Sequence, residues 1–192
     1  MPPQKMDQRE LKELENKEAE EKRIERENYV KTIRMIMKGI IDIFDILLMP
    51  PEKRSREQNL QIACFLSYKI DFFKTDEFFD AEFMYDIAER IETRTYRHMQ
   101  KVITKGEVND RLFISLKGKL GVYISDTPEA LEKPPNSVVD EFTVIGERSL
   151  EFPNQRKIAN VACIDKEETL CITITRNDYK KLVNVSTHLF QF

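Results

Sequence analysis

The chain has 192 residues and a mass of 22.8 kDa, room for one good-sized domain with some sequence to spare and too little for two full enzyme domains. Its 31 basic and 34 acidic residues leave a formal charge of -3, without the basic excess that wrapping duplex nucleic acid requires, so no nucleic-acid partner is expected. No run of about 18 uncharged apolar residues exists to span a membrane, and the opening Met1-Pro2-Pro3-Gln4-Lys5 has no apolar signal core. Cys64, Cys163, Cys171, His98 and His188 show no metal-ligand spacing, so the expectation is a cytoplasmic chain with reduced thiols, no metal and no cofactor.

From residue 5 to residue 27 almost every position is charged or an amide, with Leu11, Leu14 and Ile24 the large aliphatic exceptions. Opposite charges recur at helical spacing in Glu13–Lys17, Lys17–Glu21, Glu18–Lys22 and Arg23–Glu27, which supports a helix with little to bury. Such a helix is either solvated or laid along a partner. Residues 29–49 then turn apolar, Ile33, Met37, Ile40, Phe44 and Leu47 following a helical stripe that the other aliphatics broaden. The breadth suits a helix that packs on its own domain or docks on another protein. Residues 1–49 are thus expected to form a charged, then apolar, helical extension, with a protein partner approached through residues 5–49.

Met49-Pro50-Pro51 ends that helix, because proline lacks an amide hydrogen and restricts the residue before it, and residues 50–55 read as a linker. Residues 56–73 form the next helix, with Leu60, Ile62, Ala63, Phe65 and Leu66 inward. Thr75 is placed to cap a further helix, with Asp76 and Glu77 in its first turn and Phe78, Phe79, Phe83, Met84 and Ile87 facing the core.

After Glu92 the period falls to two. Short β-branched runs at 93–98, 101–104, 111–116, 119–125, 138–139, 142–145, 157–163 and 169–175 are separated by Lys105-Gly106, Asn109-Asp110, Lys117-Gly118 and similar turns. About eight short strands predict an antiparallel β-roll or jelly roll, flanked by helices, so the fold class is α+β. The Pro-containing loop 126–137 is longer than a hairpin needs and is expected to be mobile. A closing helix starts near residues 175–177 and carries Tyr179, Leu182 and Val183.

Two segments go beyond generic strands. One is Gly106-Glu107-Val108-Asn109-Asp110 followed by Arg111-Leu112-Phe113-Ile114; the other is Ile145-Gly146-Glu147-Arg148-Ser149-Leu150 with Arg156 downstream. Together they resemble the cyclic-nucleotide-binding domain of catabolite activator protein, cyclic-AMP-dependent kinase regulatory subunits and gated channels, as a divergent member. The resemblance runs from about residue 56 to residue 183, includes the Thr175-Arg176-Asn177-Asp178-Tyr179 start of the closing helix, and sets the expected domain at 56–192. The first matches the family's G-x-x-G-D turn, with Asn109 in place of the second glycine, where it is expected to tolerate positive φ. The second matches the phosphate-binding cassette, with Ile145 in place of phenylalanine, Gln155 in place of proline and Phe142 where a loop glycine is common.

The resemblance implies a non-catalytic regulatory or scaffold module with cyclic AMP or cyclic GMP as ligand. Gly146 would let the backbone approach the phosphate, Glu147 would accept the ribose 2′-hydroxyl, Ser149 would add a donor and Arg156 would supply the cation. Aligning Ala159-Asn160-Val161 with the family's strand instead puts Lys157 in the cation's place and Asn160 where a hydroxyl is usual, and both registers stand at this point. The alternative function is a structural subunit with a vestigial pocket, the N-terminal helices anchoring it in a larger assembly. Because divergent relatives with charged helical extensions occur in such assemblies, the resemblance also suggests a ciliary or cytoskeletal setting.

Overall fold

The computed structural model describes residues 7–73 and 81–181. The chain divides into two compact units, Met1–Asp42 and Ile43–Phe192. The first is built on helix α1, Gln8–Met37. Glu10 Oε2 turns back to accept the Asp7 amide at 3.2 Å, closing the first turn. Of the charge pairs expected from spacing, Lys17–Glu21 forms at 3.9 Å and Arg23–Glu27 at 2.6 Å, and Arg9–Glu13 and Arg23–Glu20 join them. No residue of α1 is buried within the structure.

The helix ends earlier than the apolar stripe suggests. Gly39 takes φ +68°, its amide bonds to Ile36 O at 3.0 Å, and the Ile40 amide bonds to Met35 O at 3.0 Å. That double closure around a left-handed glycine is the Schellman stop. The aliphatic run therefore splits, and its second half becomes helix α2, Ile43–Leu48, with Ile43 and Leu47 buried in the second unit.

A 3-10 turn at Pro51–Lys53 leads to Arg54, which is buried. Its guanidinium donates to Met49 O at 3.0 Å, Leu47 O at 3.0 Å, and Ala88 O and Ile91 O at 3.2 Å each. A cation thus satisfies carbonyls at the C-terminal ends of two helices, where the helix dipole is negative. Ser55 and Gln58 form a reciprocal capping box on helix α3, Arg56–Lys69, which buries Ile62, Ala63, Phe65 and Leu66 as its pattern requires while Leu60 faces outward. The helix stops at Lys69, and the rest of the expected span is a 3-10 turn, Asp71–Phe73. The expected cap at Thr75, with Asp76, Glu77, Phe78 and Phe79, lies outside the described residues. Helix α4, Ala81–Arg90, buries Met84 and Ile87.

The eight expected strands are present: β1 Glu92–Tyr96, β2 Lys101–Ile103, β3 Arg111–Lys117, β4 Leu120–Tyr123, β5 Ser137–Val139, β6 Val144–Ile145, β7 Asn160–Cys163 and β8 Thr169–Thr175. They form two antiparallel four-stranded sheets, ordered β1-β8-β3-β6 and β2-β7-β4-β5. The roll interior is Tyr96, Ile103, Phe113, Leu120, Val139, Val161, Cys163 and Cys171. Leu112, Ile114, Ile172 and Ile174, on the other face of β3 and β8, are buried as well, which is why these strands read as continuous apolar runs. Burial also pushes the Cys171 thiol up to about 12, so it remains protonated in the core.

The loop after β4 has local structure of its own. It contains a 3-10 helix, Pro128–Glu132, buries Ala130, and returns to the sheet through the Asn136 amide on Val122 O at 2.8 Å. After β8, Thr175 Oγ1 bonds Asp178 Oδ2 at 2.5 Å and accepts the Asp178 amide at 3.2 Å, capping a helix that covers 176–181. Tyr179 of this helix meets Phe72 at 6.2 Å between ring centroids. Leu182 and Val183 lie beyond the described residues.

The four carbonyls on Arg54 make it the least replaceable polar residue of the helical layer. Arg54→Met should lower unfolding free energy by roughly 3 kcal/mol in urea titration, because several buried acceptors lose a charged donor at once. A loss under about 1 kcal/mol would mean that the carbonyls find other partners.

Candidate functional site

The cassette begins where β6 pairs with β3, Ile145 opposite Phe113 and Val144 opposite Ile114. Gly146 then turns the chain with φ +83°, and a Cβ there would stand 3.3 Å from Arg111 O, 3.6 Å from Lys157 Nζ and 3.7 Å from Ile103 Cδ1. Glycine is required both by the dihedral and by this close approach to β3. Glu147 leads into a single helical turn, α5 Arg148–Glu151, closed by the Ser149 amide on Gly146 O and the Leu150 amide on Glu147 O, both at 2.9 Å. Ser149 and Leu150 are buried, and Glu147 faces solvent.

The chain returns along the turn that precedes β3. The Lys157 amide donates to Glu107 O at 2.9 Å, the Gly106 amide donates to Lys157 O at 2.8 Å, and Val108 bridges Arg156. Held extended by these bonds, neighbouring side chains point to opposite sides. Arg156 points outward, is exposed, and donates to Gly106 O at 2.7 Å. Lys157 points inward and donates its Nζ to Ser149 Oγ. The structure therefore brings Gly146, Ser149 and Lys157 together with Glu147 alongside, and leaves Arg156 outside the group.

The Lys157 ammonium is poorly solvated. Burial holds its pKa below the usual lysine range; the Glu147 carboxylate opposes that shift and the Arg176 guanidinium adds to it. A cleft of about 250 Å³ opens at this point, walled by Lys157, by Val102, Ile103 and Thr104 at β2, by the turn Glu107, Val108 and Asn109, and by Arg94, Arg111 and Phe113 from the first sheet. Among the described residues, no group of three or more His, Cys, Asp or Glu side chains could hold a metal ion.

Three residues act differently from their sequence expectations. Asn109 does not adopt positive φ, since among the described non-glycine residues only Met99 and Phe142 do; its Oδ1 accepts the Arg111 amide at 3.1 Å in an Asx turn. Phe142, expected within a strand, instead takes φ +64° in the turn before β6, with its ring 6.1 Å from Phe65 and under Lys69 Nζ at 5.5 Å. Asn160 is turned away from the cleft, accepting the Lys105 amide at 2.9 Å and donating to Asp126 Oδ1 at 3.2 Å.

Arg176 stands in the sequence only as part of the Thr175–Tyr179 stretch that begins the closing helix, with no expected role in the site, yet it joins the site's parts. Its Nε donates to Ser149 O at 2.5 Å, its Nη2 to Asn109 O at 3.0 Å and Pro153 O at 3.5 Å, and its amide to Asp110 O at 2.6 Å. The first residue of the closing helix thus clamps the cassette to the turn before β3. No spacing rule could have found it, because its partners are backbone carbonyls.

Solved structures place this architecture. The regulatory domain of Toxoplasma gondii protein kinase A with cyclic AMP superposes at TM-score 0.54 with 17% identity, over 71% of this chain and 51% of that one. A regulatory subunit of a cyclic-AMP-independent protein kinase A from Trypanosoma cruzi, bound to guanosine, gives 0.53 and 15% over 67% and 43%. A cyclic nucleotide-binding-like protein from Brucella abortus gives 0.52 and 16% over 64% and 97%. The chain spans about half the length of the two kinase subunits. The sequence matches no family model and no curated protein. At these identities the likeness is one of fold: the chain has the β-roll of cyclic-nucleotide-binding domains, in a strongly diverged sequence.

The two arginines should separate experimentally. Arg176→Ala should cost about 2 kcal/mol of unfolding free energy and expose the Ser149 and Leu150 amides to hydrogen exchange. Arg156→Ala should change stability by no more than about 0.5 kcal/mol and leave those amides protected. Equal exchange in the two variants would show that the clamp does not hold the cassette.

Proposed function

We propose that the chain is a non-catalytic, cyclic-nucleotide-binding-like regulatory module whose cassette takes a cyclic phosphate at Gly146, Glu147, Ser149 and Lys157. The observation that carries this reading is the inward Lys157, a partly buried cation held against Ser149 beside the Gly146 turn, where no side chain stands between the ammonium and the backbone. An anion bound there adds to the compensation that the neighbouring Glu147 carboxylate gives this ammonium. Lysine offers a point charge where the family's arginine offers a two-pronged fork, so affinity is expected to be modest. Glu147, exposed beside Lys157, is the acceptor for a ribose hydroxyl, and cyclic AMP and cyclic GMP are the ligands to test first.

The same reading supplies a route for regulation. Arg176 bonds the cassette carbonyl of Ser149 and is itself the start of the closing helix, so a ligand that moves the cassette biases that helix. Helix α1 buries none of its own residues and exposes Leu11, Leu14, Ile24 and Val30, which suits a protein partner along residues 5–49. The other reading, a structural subunit with a vestigial pocket, draws on this same helix and on the loss of the arginine from the cassette.

A thermal-unfolding scan with millimolar cyclic AMP or cyclic GMP separates the two. A ligand at about 100 times its dissociation constant adds roughly 2.7 kcal/mol. Lys157→Ala should abolish the shift while Arg156→Ala retains it; no shift in a cooperatively unfolding wild-type chain selects the structural reading. Binding should also depend on pH. An anion raises the Lys157 pKa, so affinity is fully present below the free-state value and declines as pH rises through the value in the complex. Because the free-state value lies below the ordinary lysine value, the decline should begin at lower pH than for an exposed lysine. An affinity that shows no decline by the time pH passes the ordinary lysine value would exclude Lys157 as the phosphate ligand.

A further inference from the structure

The cleft that receives Lys157 also holds two arginines for which a singly charged cyclic phosphate has no use. Arg94 of β1 pairs in register with Cys171 of β8, and Arg111 of β3 with Thr175. Both side chains line the same cleft of about 250 Å³ as Lys157. Continuity with the cassette is direct, because Gly146 lies against Arg111 O, Lys157 Nζ and Ile103 Cδ1, atoms of three residues of that wall.

Each of these cations has a carboxylate near it, but the Arg111 guanidinium is left with an N–H to spare. Arg94 Nη2 reaches Glu92 Oε2 at 3.2 Å, and the same oxygen is 3.6 Å from Arg111 Nη1, beyond hydrogen-bond range. Arg111 Nε is held by Asp110 Oδ1 at 3.2 Å, an exposed carboxylate. Arg111 Nη1 is buried and has no hydrogen-bond partner. Buried donors of this kind are few in folded proteins and call for an explanation. The wall itself carries three cations, Arg94, Arg111 and Lys157, and one carboxylate, Glu107, with Glu92, Asp110 and Glu147 next to the cations but outside the wall.

We infer that the cleft is built for a phosphomonoester on a ribose, a ribonucleoside 5′-monophosphate or its sugar-phosphate end, with Lys157 and Arg111 sharing the phosphate oxygens. A cyclic diester carries one negative charge; a monoester carries about 1.5 to 2 at pH 7 and one more terminal oxygen to accept the Arg111 N–H. The size agrees, since whole drug-sized ligands occupy roughly 300–1,000 Å³ and this cleft takes the phosphate and sugar while leaving a base at its mouth. The inference rests on the proposed entry of phosphate beside Gly146 and Ser149, and replaces only the class of phosphate.

Calorimetric titration of the full chain at pH 7.5 tests it, with 5′-AMP, ribose 5-phosphate, cyclic AMP and the methyl ester of 5′-AMP, which has an open ring but a single charge. The expected order puts 5′-AMP and ribose 5-phosphate about tenfold or more tighter than cyclic AMP and the methyl ester. Arg111→Gln should erase that gap while leaving cyclic AMP within about twofold, and Arg111→Lys should restore part of it. Arg94→Gln, which alters the shared Glu92 partner, provides a second variant with a narrowed gap if Arg111→Gln does not fold. Cyclic AMP binding equal to or tighter than 5′-AMP overturns the inference and leaves the cyclic-nucleotide reading intact. Monoester binding without cyclic AMP binding supports the inference and removes the cyclic ligand. Binding of none of the four by a folded chain overturns both.

Discussion

The candidate site depends on one guanidinium. Arg176 reaches Ser149 O, Asn109 O and Pro153 O while its own amide bonds Asp110 O, so one residue holds the cassette, the turn before β3 and the first turn of the closing helix. These are three stretches of chain far apart in sequence, each too short to hold its shape alone. The α5 turn has four residues, and the closing helix leaves the sheet through a single capped turn. A planar donor with several fixed N–H directions suits this task better than an ammonium would. Arg176 is thus a direct polar link between the cassette turn and the closing helix.

The helical layer relies on a similar device. Arg54 gathers carbonyls from the ends of α2 and α4, and Phe142, in a left-handed conformation that disfavours a bulky side chain, lays its ring against Phe65 of α3. The strain at Phe142 is offset by that contact, by Lys69 over the ring and by its amide on Ser115 O at 2.6 Å. The loop entering the cassette is thereby attached to α3. Both faces of β3 and β8 are buried, so the rigid part of the roll lies directly beneath the Gly146 turn.

The cleft illustrates how register decides chemistry within one fold. The backbone pairing of Lys157 with Gly106 and Glu107 sends the neighbouring Arg156 to solvent. Positive charge in the cleft then comes from Lys157, and from Arg94 and Arg111 on β1 and β3, positions outside the sequence motif. A count of motif residues would score this site as nearly complete or nearly lost depending on register; the geometry instead describes a basic cleft with a different set of cations.

Much of the architecture was legible from local chemistry. The eight strands followed from period-two runs and glycine turns, α3 from its apolar set Ile62, Ala63, Phe65 and Leu66, and the Lys17–Glu21 and Arg23–Glu27 pairs of α1 from charge spacing, because each of these depends on residues a few positions apart. The break at Gly39 was missed because an unbroken aliphatic stripe outweighed a single glycine. Side-chain destinations across the roll were not legible. Whether Arg156 or Lys157 faces Ser149 is decided by hydrogen bonds to a strand about fifty residues away, and a slip of one residue inverts the answer. Arg176, Arg94 and Arg111 belong to the site only because the sheet order places β1, β8 and β3 side by side. The amino-acid sequence by itself determined the elements and the fold, through local periodicity; tertiary pairing alone decided which charges meet in the cleft, because long-range register has no local code.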